Sequence, residues 1–151
     1  MAKQREKPQL PPTGIYRKGS LSYEELMKTA FEVAKGRYGA VASYIGLVKS
    51  PGIKNREVKE LIIETYPQYA DKILTQICED VKRKYRIRLA TIYHFEGSFH
   101  VGEILVMVIA ISRDRKKLFP AVEETIRRYK TEPTIWKKEI YLGGGSKWAK
   151  K

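Results

Sequence analysis

With 151 residues, 42% of them hydrophobic, the chain is long enough to bury one core and too apolar to be mainly disordered. Its net charge of +13 at pH 7, with a pI near 9.8, points to anionic partners or substrates without saying which. The single cysteine, Cys78, excludes an intramolecular disulfide, and the longest apolar run, Ile104 to Ile111, is too short for a membrane-spanning helix. The charged start MAKQREKPQLPP is followed by no apolar stretch, which argues against a secretory signal and makes a cytoplasmic location the expectation.

Residues 1–19 mix prolines and glycines with basic residues and show no hydrophobic period, so they read as a flexible basic N-terminal arm. The folded domain is expected over 20–142. Ser22-Tyr23-Glu24-Glu25 has the form of a capping box. Leu26, Ala30, Val33 and Ala34 follow at helical spacing, and Gly36 ends the run. Ala40 to Val48 is apolar and partly β-branched, hence a strand. Ser50-Pro51-Gly52 opens a loop, and Val58 to Thr65 is a second strand.

Pro67 precedes an amphipathic helix with Ala70, Ile73, Leu74, Ile77 and Val81 on one face. Lys82, Arg83 and Lys84 in its last turn complement the helix dipole. Ile87 to Phe95 and Ile104 to Ile111 are the next strands. Leu118, Val122, Ile126 and Tyr129 mark a third helix, with Pro120 expected to delay its start or kink it. Thr134 to Tyr141 is the last strand, and 143–151 reads as a flexible basic tail behind a glycine run. The sum is a single α+β domain, with a mixed, mainly antiparallel sheet and about three helices.

Few residues are equipped for chemistry. His94 and His100 are the only histidines, and no Cys, His and carboxylate group has metal-ligand spacing. His94 falls in a strand and reads as structural; Cys78 falls on or beside an apolar helix face and reads as packing. No P-loop or dinucleotide-binding glycine pattern occurs, and no helix follows Gly143 to Gly145, so no cofactor is expected. Lysine remains. Lys130 ends the third helix and Lys137 lies in the strand after it, across a turn at Thr131-Glu132-Pro133. Such a reversal can bring both side chains into one cleft, where mutual repulsion and burial favour losing a proton. A lysine lowered from about 10.4 to roughly 7–8 can serve as base or nucleophile, while its partner holds an anion. The plainer alternative is that Lys130 complements a helix dipole and Lys137 is a solvated strand residue.

The segment Lys130-Thr131-Glu132-Pro133-Thr134-Ile135-Trp136-Lys137-Lys138-Glu139 resembles the signature of the MoaE family, the large subunits of molybdopterin synthase. Further matches stand in order: Gly39 to Val41, Gly46 to Lys49, Leu61 to Pro67, His94 to Gly97, Val101 to Glu103, Arg115 with Phe119, and Trp148. They cover about residues 20–148. The resemblance implies an α/β hammerhead fold and a homodimer at the centre of a heterotetramer. Its outer members would be small ubiquitin-like subunits ending in a Gly-Gly thiocarboxylate. It implies cyclic pyranopterin monophosphate as substrate, sulfurated to molybdopterin without a metal or other cofactor on the enzyme. Carried onto this chain, Lys130 and Lys137 match the catalytic lysines. Leu47, Val48 and Lys49, Asp114 with Arg115, and Lys138 with Glu139 match substrate-binding stretches.

The chain departs from the family pattern in places. Asp114 replaces a histidine, Lys49 and Phe95 replace arginines, and Pro133 stands one place early. Lysine lacks arginine's bidentate grip on phosphate, so Lys116, Lys117 or Lys147 is a candidate to rebuild the anion site. Two alternatives accompany this reading: a diverged paralogue with altered activity, and a nucleic-acid-binding module using the basic run Lys82 to Arg88. The second lacks any recognised nucleic-acid motif.

Overall fold

The computed structural model describes residues 6–150, with the side chain of Lys150 excepted. In chain order the elements are β1 (Gly14–Arg17), α1 (Tyr23–Ala34), β2 (Ala40–Leu47), β3 (Val58–Thr65) and α2 (Pro67–Tyr85). They continue with β4 (Leu89–His100), β5 (Ile104–Ser112), α3 (Arg115–Thr131), β6 (Ile135–Tyr141) and β7 (Ser146–Lys150). The strands form one sheet in the order β2-β5-β4-β3-β6-β7, with β1 beside β4. Every pairing is antiparallel except that of β1 with β4. Three helices and a mainly antiparallel sheet make the expected α+β domain.

β4 joins two half-sheets. Its first part, Leu89 to His94, pairs with β5, and its last part, Gly97 to His100, pairs with β3. The change falls at Gly97, whose φ of +130° is one that only glycine adopts readily. Leu74, Ile77 and Val81 of α2 are fully buried with Ala121 of α3 and Ile92, Val108, Ile109 and Ile111 of the sheet. Ile77 and Leu74 are the periodic positions read from the sequence, so α2 presents its apolar stripe to the sheet as its spacing requires.

Ser22 caps α1, accepting a hydrogen bond from the Glu25 amide at 3.3 Å. The Ser22 hydroxyl in turn donates to the Glu24 carboxylate at 3.1 Å. α3 starts earlier than Pro120 suggested. Asp114 accepts from the amides of Lys116 and Lys117 at 3.0 and 3.3 Å, which nucleates the helix ahead of the proline. Pro120 then sits in the second turn and deprives only the Lys116 carbonyl of its helical donor.

Two segments read as flexible carry strands. β1 lies in the N-terminal arm, whose residues 1–5 fall outside the described residues. Its neighbourhood is tied down by contacts remote in sequence. The Ile15 amide donates to Asp71 at 2.6 Å, the Tyr93 hydroxyl to the Pro11 carbonyl at 2.9 Å, and the Ile92 amide to Thr13 at 3.1 Å. β7 lies in the C-terminal tail and pairs with β6 from Trp136↔Lys150 to Ile140↔Ser146. Gly144 and Gly145 supply the reversal between them.

A lysine-lined cavity as candidate active site

The last turn of α3, the middle of β6 and the end of β2 meet around a cavity of about 280 Å³. Lys130 reaches it from α3, Lys137 and Glu139 from β6, and Leu47, Val48 and Lys49 from the end of β2 and the residues after it. The strand period explains the β6 contribution: residues 135, 137, 139 and 141 share one face, and on that face Ile135 and Tyr141 are buried on either side of Lys137 and Glu139. A register shift between Gly46 and Leu47 in the β2–β5 ladder turns the end of β2 where it meets the cavity.

Its deep wall is aromatic. His94, 1% exposed, stacks edge-on against Tyr129 at 6.1 Å between ring centres, and its Nδ1 lies 3.1 Å from the Phe95 carbonyl oxygen. Burial, with the Tyr44 hydroxyl beside it, pushes the Tyr129 hydroxyl well above the usual tyrosine range, so Tyr129 is a neutral donor at any physiological pH. Lys130 is exposed where the cavity opens. The arrangement sets three lysines, one glutamate and two tyrosine hydroxyls around a single space. It suits an anionic substrate entering from solvent.

The structure brings together six of the nine site residues expected from the sequence: Lys130, Lys137, Leu47, Val48, Lys49 and Glu139. Three do not line the cavity. Lys138 points to the other face of β6, its ammonium 5.5 Å from the centre of the Trp148 ring. Asp114 is the N-cap of α3 and Arg115 its first residue, at the end of the helix opposite Lys130. Lys116 and Lys117 share that end, and Lys147 lies on β7 opposite Glu139 in the ladder. Sequence reasoning missed Tyr44, His94 and Tyr129 as cavity residues: Tyr129 reads as one of the periodic positions of its helix and His94 as a structural strand residue.

Other candidates resolve into structure. Cys78 is buried, its thiol pushed up to about 11 by burial. The basic run at 82–88 closes α2 and leads into β4, with Lys84 bridged to Glu124 and Ile87 buried. Among the described residues no three His, Cys, Asp or Glu side chains cluster as metal ligands. No helix among them is long and apolar enough to cross a membrane.

Fold and cavity together define a hammerhead-type α+β domain with a lysine pair lining one pocket. The chain belongs to the MoaE family, whose model matches residues 17–132. It is 33% identical over 127 residues to the molybdopterin synthase catalytic subunit of Bacillus subtilis, covering 84% of this chain and 78% of that one. It is 30% identical over 110 residues to the bovine catalytic subunit, covering 73% of this chain. It spans only 58% of the length of the bovine protein and 54% of its rat counterpart. The crystal structure of molybdopterin synthase from Staphylococcus aureus superposes with a TM-score of 0.81 at 28% identity, over 93% of this chain and 98% of that one.

Proposed function

We propose that this chain is the catalytic subunit of a cytoplasmic molybdopterin synthase. It converts cyclic pyranopterin monophosphate to molybdopterin with sulfur from the C-terminal thiocarboxylate of a small ubiquitin-like subunit. The observation that carries the reading is the convergence of Lys130 and Lys137 on one cavity. Membership in a family whose relatives bear the catalytic-subunit name supports it. A half-open pocket is what a partner's extended Gly-Gly tail needs, and Lys49 and Lys137 are the cations that would meet a cyclic phosphate. The working assembly is a homodimer flanked by two small subunits.

Lys130 acts as base or transient nucleophile at the thiocarboxylate carbonyl and the pterin carbon. Lys137 holds the anionic substrate beside it. The test uses the purified chain with a thiocarboxylated small subunit and cyclic pyranopterin monophosphate. Lys130→Ala abolishes dithiolene formation while the complex still assembles. Lys130→Arg discriminates, because arginine keeps the charge but is not deprotonated in proteins; it stays inactive. Near-normal turnover by Lys130→Arg would reduce that position to a fixed charge.

A further inference from the structure

Lys49 belongs to a loop, residues 49–57, whose flanking residues Val48 and Val58 are buried and line the same cavity. The loop apex is unusual. Lys54 and Asn55 both adopt left-handed backbone angles, with φ of 54° and 59°, which side chains other than glycine rarely hold without support. That support comes from β6. Glu139 Oε1 accepts a hydrogen bond from the Ile53 amide at 2.8 Å and another from the Tyr141 hydroxyl at 2.9 Å. Arg56 adds a second fastening, stacking 3.8 Å from the centre of the Tyr141 ring and donating to the Gly144 carbonyl at 2.9 Å.

Gly52 is where the two pieces come closest. A Cβ built there would overlap the Glu139 carboxylate, lying 2.6 Å from its Cδ. The carboxylate therefore occupies the space a side chain at position 52 would need. This geometry also bears on what Glu139 can do for an anionic ligand. A carboxylate only accepts hydrogen bonds; it repels a phosphate, and Oε1 is already turned towards two donors on the protein.

We propose that Glu139 is a positioning residue: its carboxylate clasps the Ser50–Asn55 loop to β6 and so fixes Lys49 at the cavity, and Gly52 is what lets the clasp close. The catalytic consequence rests on the synthase reading above; the clasp itself does not. Glutamine at position 139 keeps an oxygen for the Ile53 amide and loses the charge, whereas alanine loses both. Gly52→Ala breaks the same contact from the other side without touching a charged group.

Hydrogen exchange of the full chain is measured first for Glu139→Gln, Glu139→Ala, Gly52→Ala and the double variant Gly52→Ala/Glu139→Ala. Exchange across 50–56 accelerates about tenfold in Glu139→Ala and Gly52→Ala, with α2 and β4 unaltered, and stays near wild type in Glu139→Gln. Gly52→Ala adds nothing in the Glu139→Ala background, because the clash partner is gone. In the synthase assay, Glu139→Ala and Gly52→Ala raise the KM for cyclic pyranopterin monophosphate at least about fivefold with kcat changed by less than about threefold, and Glu139→Gln restores KM. Unchanged exchange at 50–56 in Glu139→Ala overturns the clasp. Glu139→Gln as impaired as Glu139→Ala, with the loop still protected, overturns the positioning role in favour of a direct one for the charge. Absence of turnover in the wild-type chain would defeat the synthase reading and leave the exchange result standing.

Discussion

Lys137 and Lys138 are adjacent, chemically identical and borne by one strand, yet they serve different regions. Lys137 lines the cavity with Lys130, while Lys138 lies on the other face of β6 beside Trp148. Cβ atoms alternate across a strand, so one residue of sequence separates a cationic pocket from a surface of aromatic rings formed by Trp136, Trp148 and Tyr66. A basic stretch is therefore not one functional unit when it lies on a strand. Its odd and even positions belong to different sites.

The sharpest way to break that comparison is to remove each lysine in turn. Lys137→Ala is expected to lower sulfur transfer by at least about a hundredfold, the usual scale for losing an electrostatic contact in the transition state. Lys138→Ala is expected to change turnover by less than about threefold and to cost roughly 0.5 kcal/mol through its lost contact with the Trp148 ring. Family resemblance alone expects both residues to touch substrate, so equal losses in single-turnover assays would restore that expectation and count against the face assignment.

The same alternation decides what the sequence reveals. Strands and helices with a clear period, such as β3 and α2, are readable because burial enforces the period. β1 and β7 are not: four residues of β1 and a polar run in β7 carry no period of their own. They are held by Asp71, Tyr93 and the β6 ladder, which the linear chain places far away. Within the cavity, Lys130 and Lys137 could be paired beforehand because a short turn joins them. Tyr44 and His94 could not, since β2 and β4 are brought to the site only by sheet pairings, β2 with β5 and β4 with β5 and β3. The grip of Glu139 on Ile53 spans 86 residues and leaves no local trace. Asp114 is a case where chemistry legible in sequence has a nearer use, capping its own helix.

Away from β6, the packing of α2 on α3 sharpens the contrast, because there the charges serve stability. The hydrogen bond from Lys84 holds Glu124 below the usual glutamate range, against the burial that raises it. Hydrogen bonds from Gln76 and then Arg128 hold Asp80 low, and one from Lys18 holds Glu103 low. Each folded-state value lies below the unfolded one, so this stabilisation is complete above the unfolded pKa and is lost as pH falls through the folded values. The thermal midpoint should therefore drop progressively below about pH 4.5, the ordinary glutamate value. Glu124→Gln should lower the midpoint by a few degrees at neutral pH and flatten the acid limb. An unaltered limb in scanning calorimetry would remove Glu124 from the acid response.

The smallest effect is expected at the residue that sulfur chemistry would single out first. Cys78 is the only thiol in the chain, but it packs on α2 at 7% exposure and accepts a hydrogen bond from Thr13 at 3.4 Å. Burial pushes the thiol up to about 11, so near neutrality hardly any of it is the thiolate that attacks or carries sulfur. It is also absent from the lysine cavity's lining. A serine hydroxyl can take over the bond from Thr13, so Cys78→Ser should retain turnover within about twofold, a typical outcome for a small near-isosteric change. Native protein should react slowly with iodoacetamide and the guanidinium-unfolded chain quickly. If Cys78→Ser stays folded and loses sulfur transfer, the Cys78 thiol takes part in the reaction. The division of labour on β6 would then describe only substrate holding, with the transfer chemistry moved to α2.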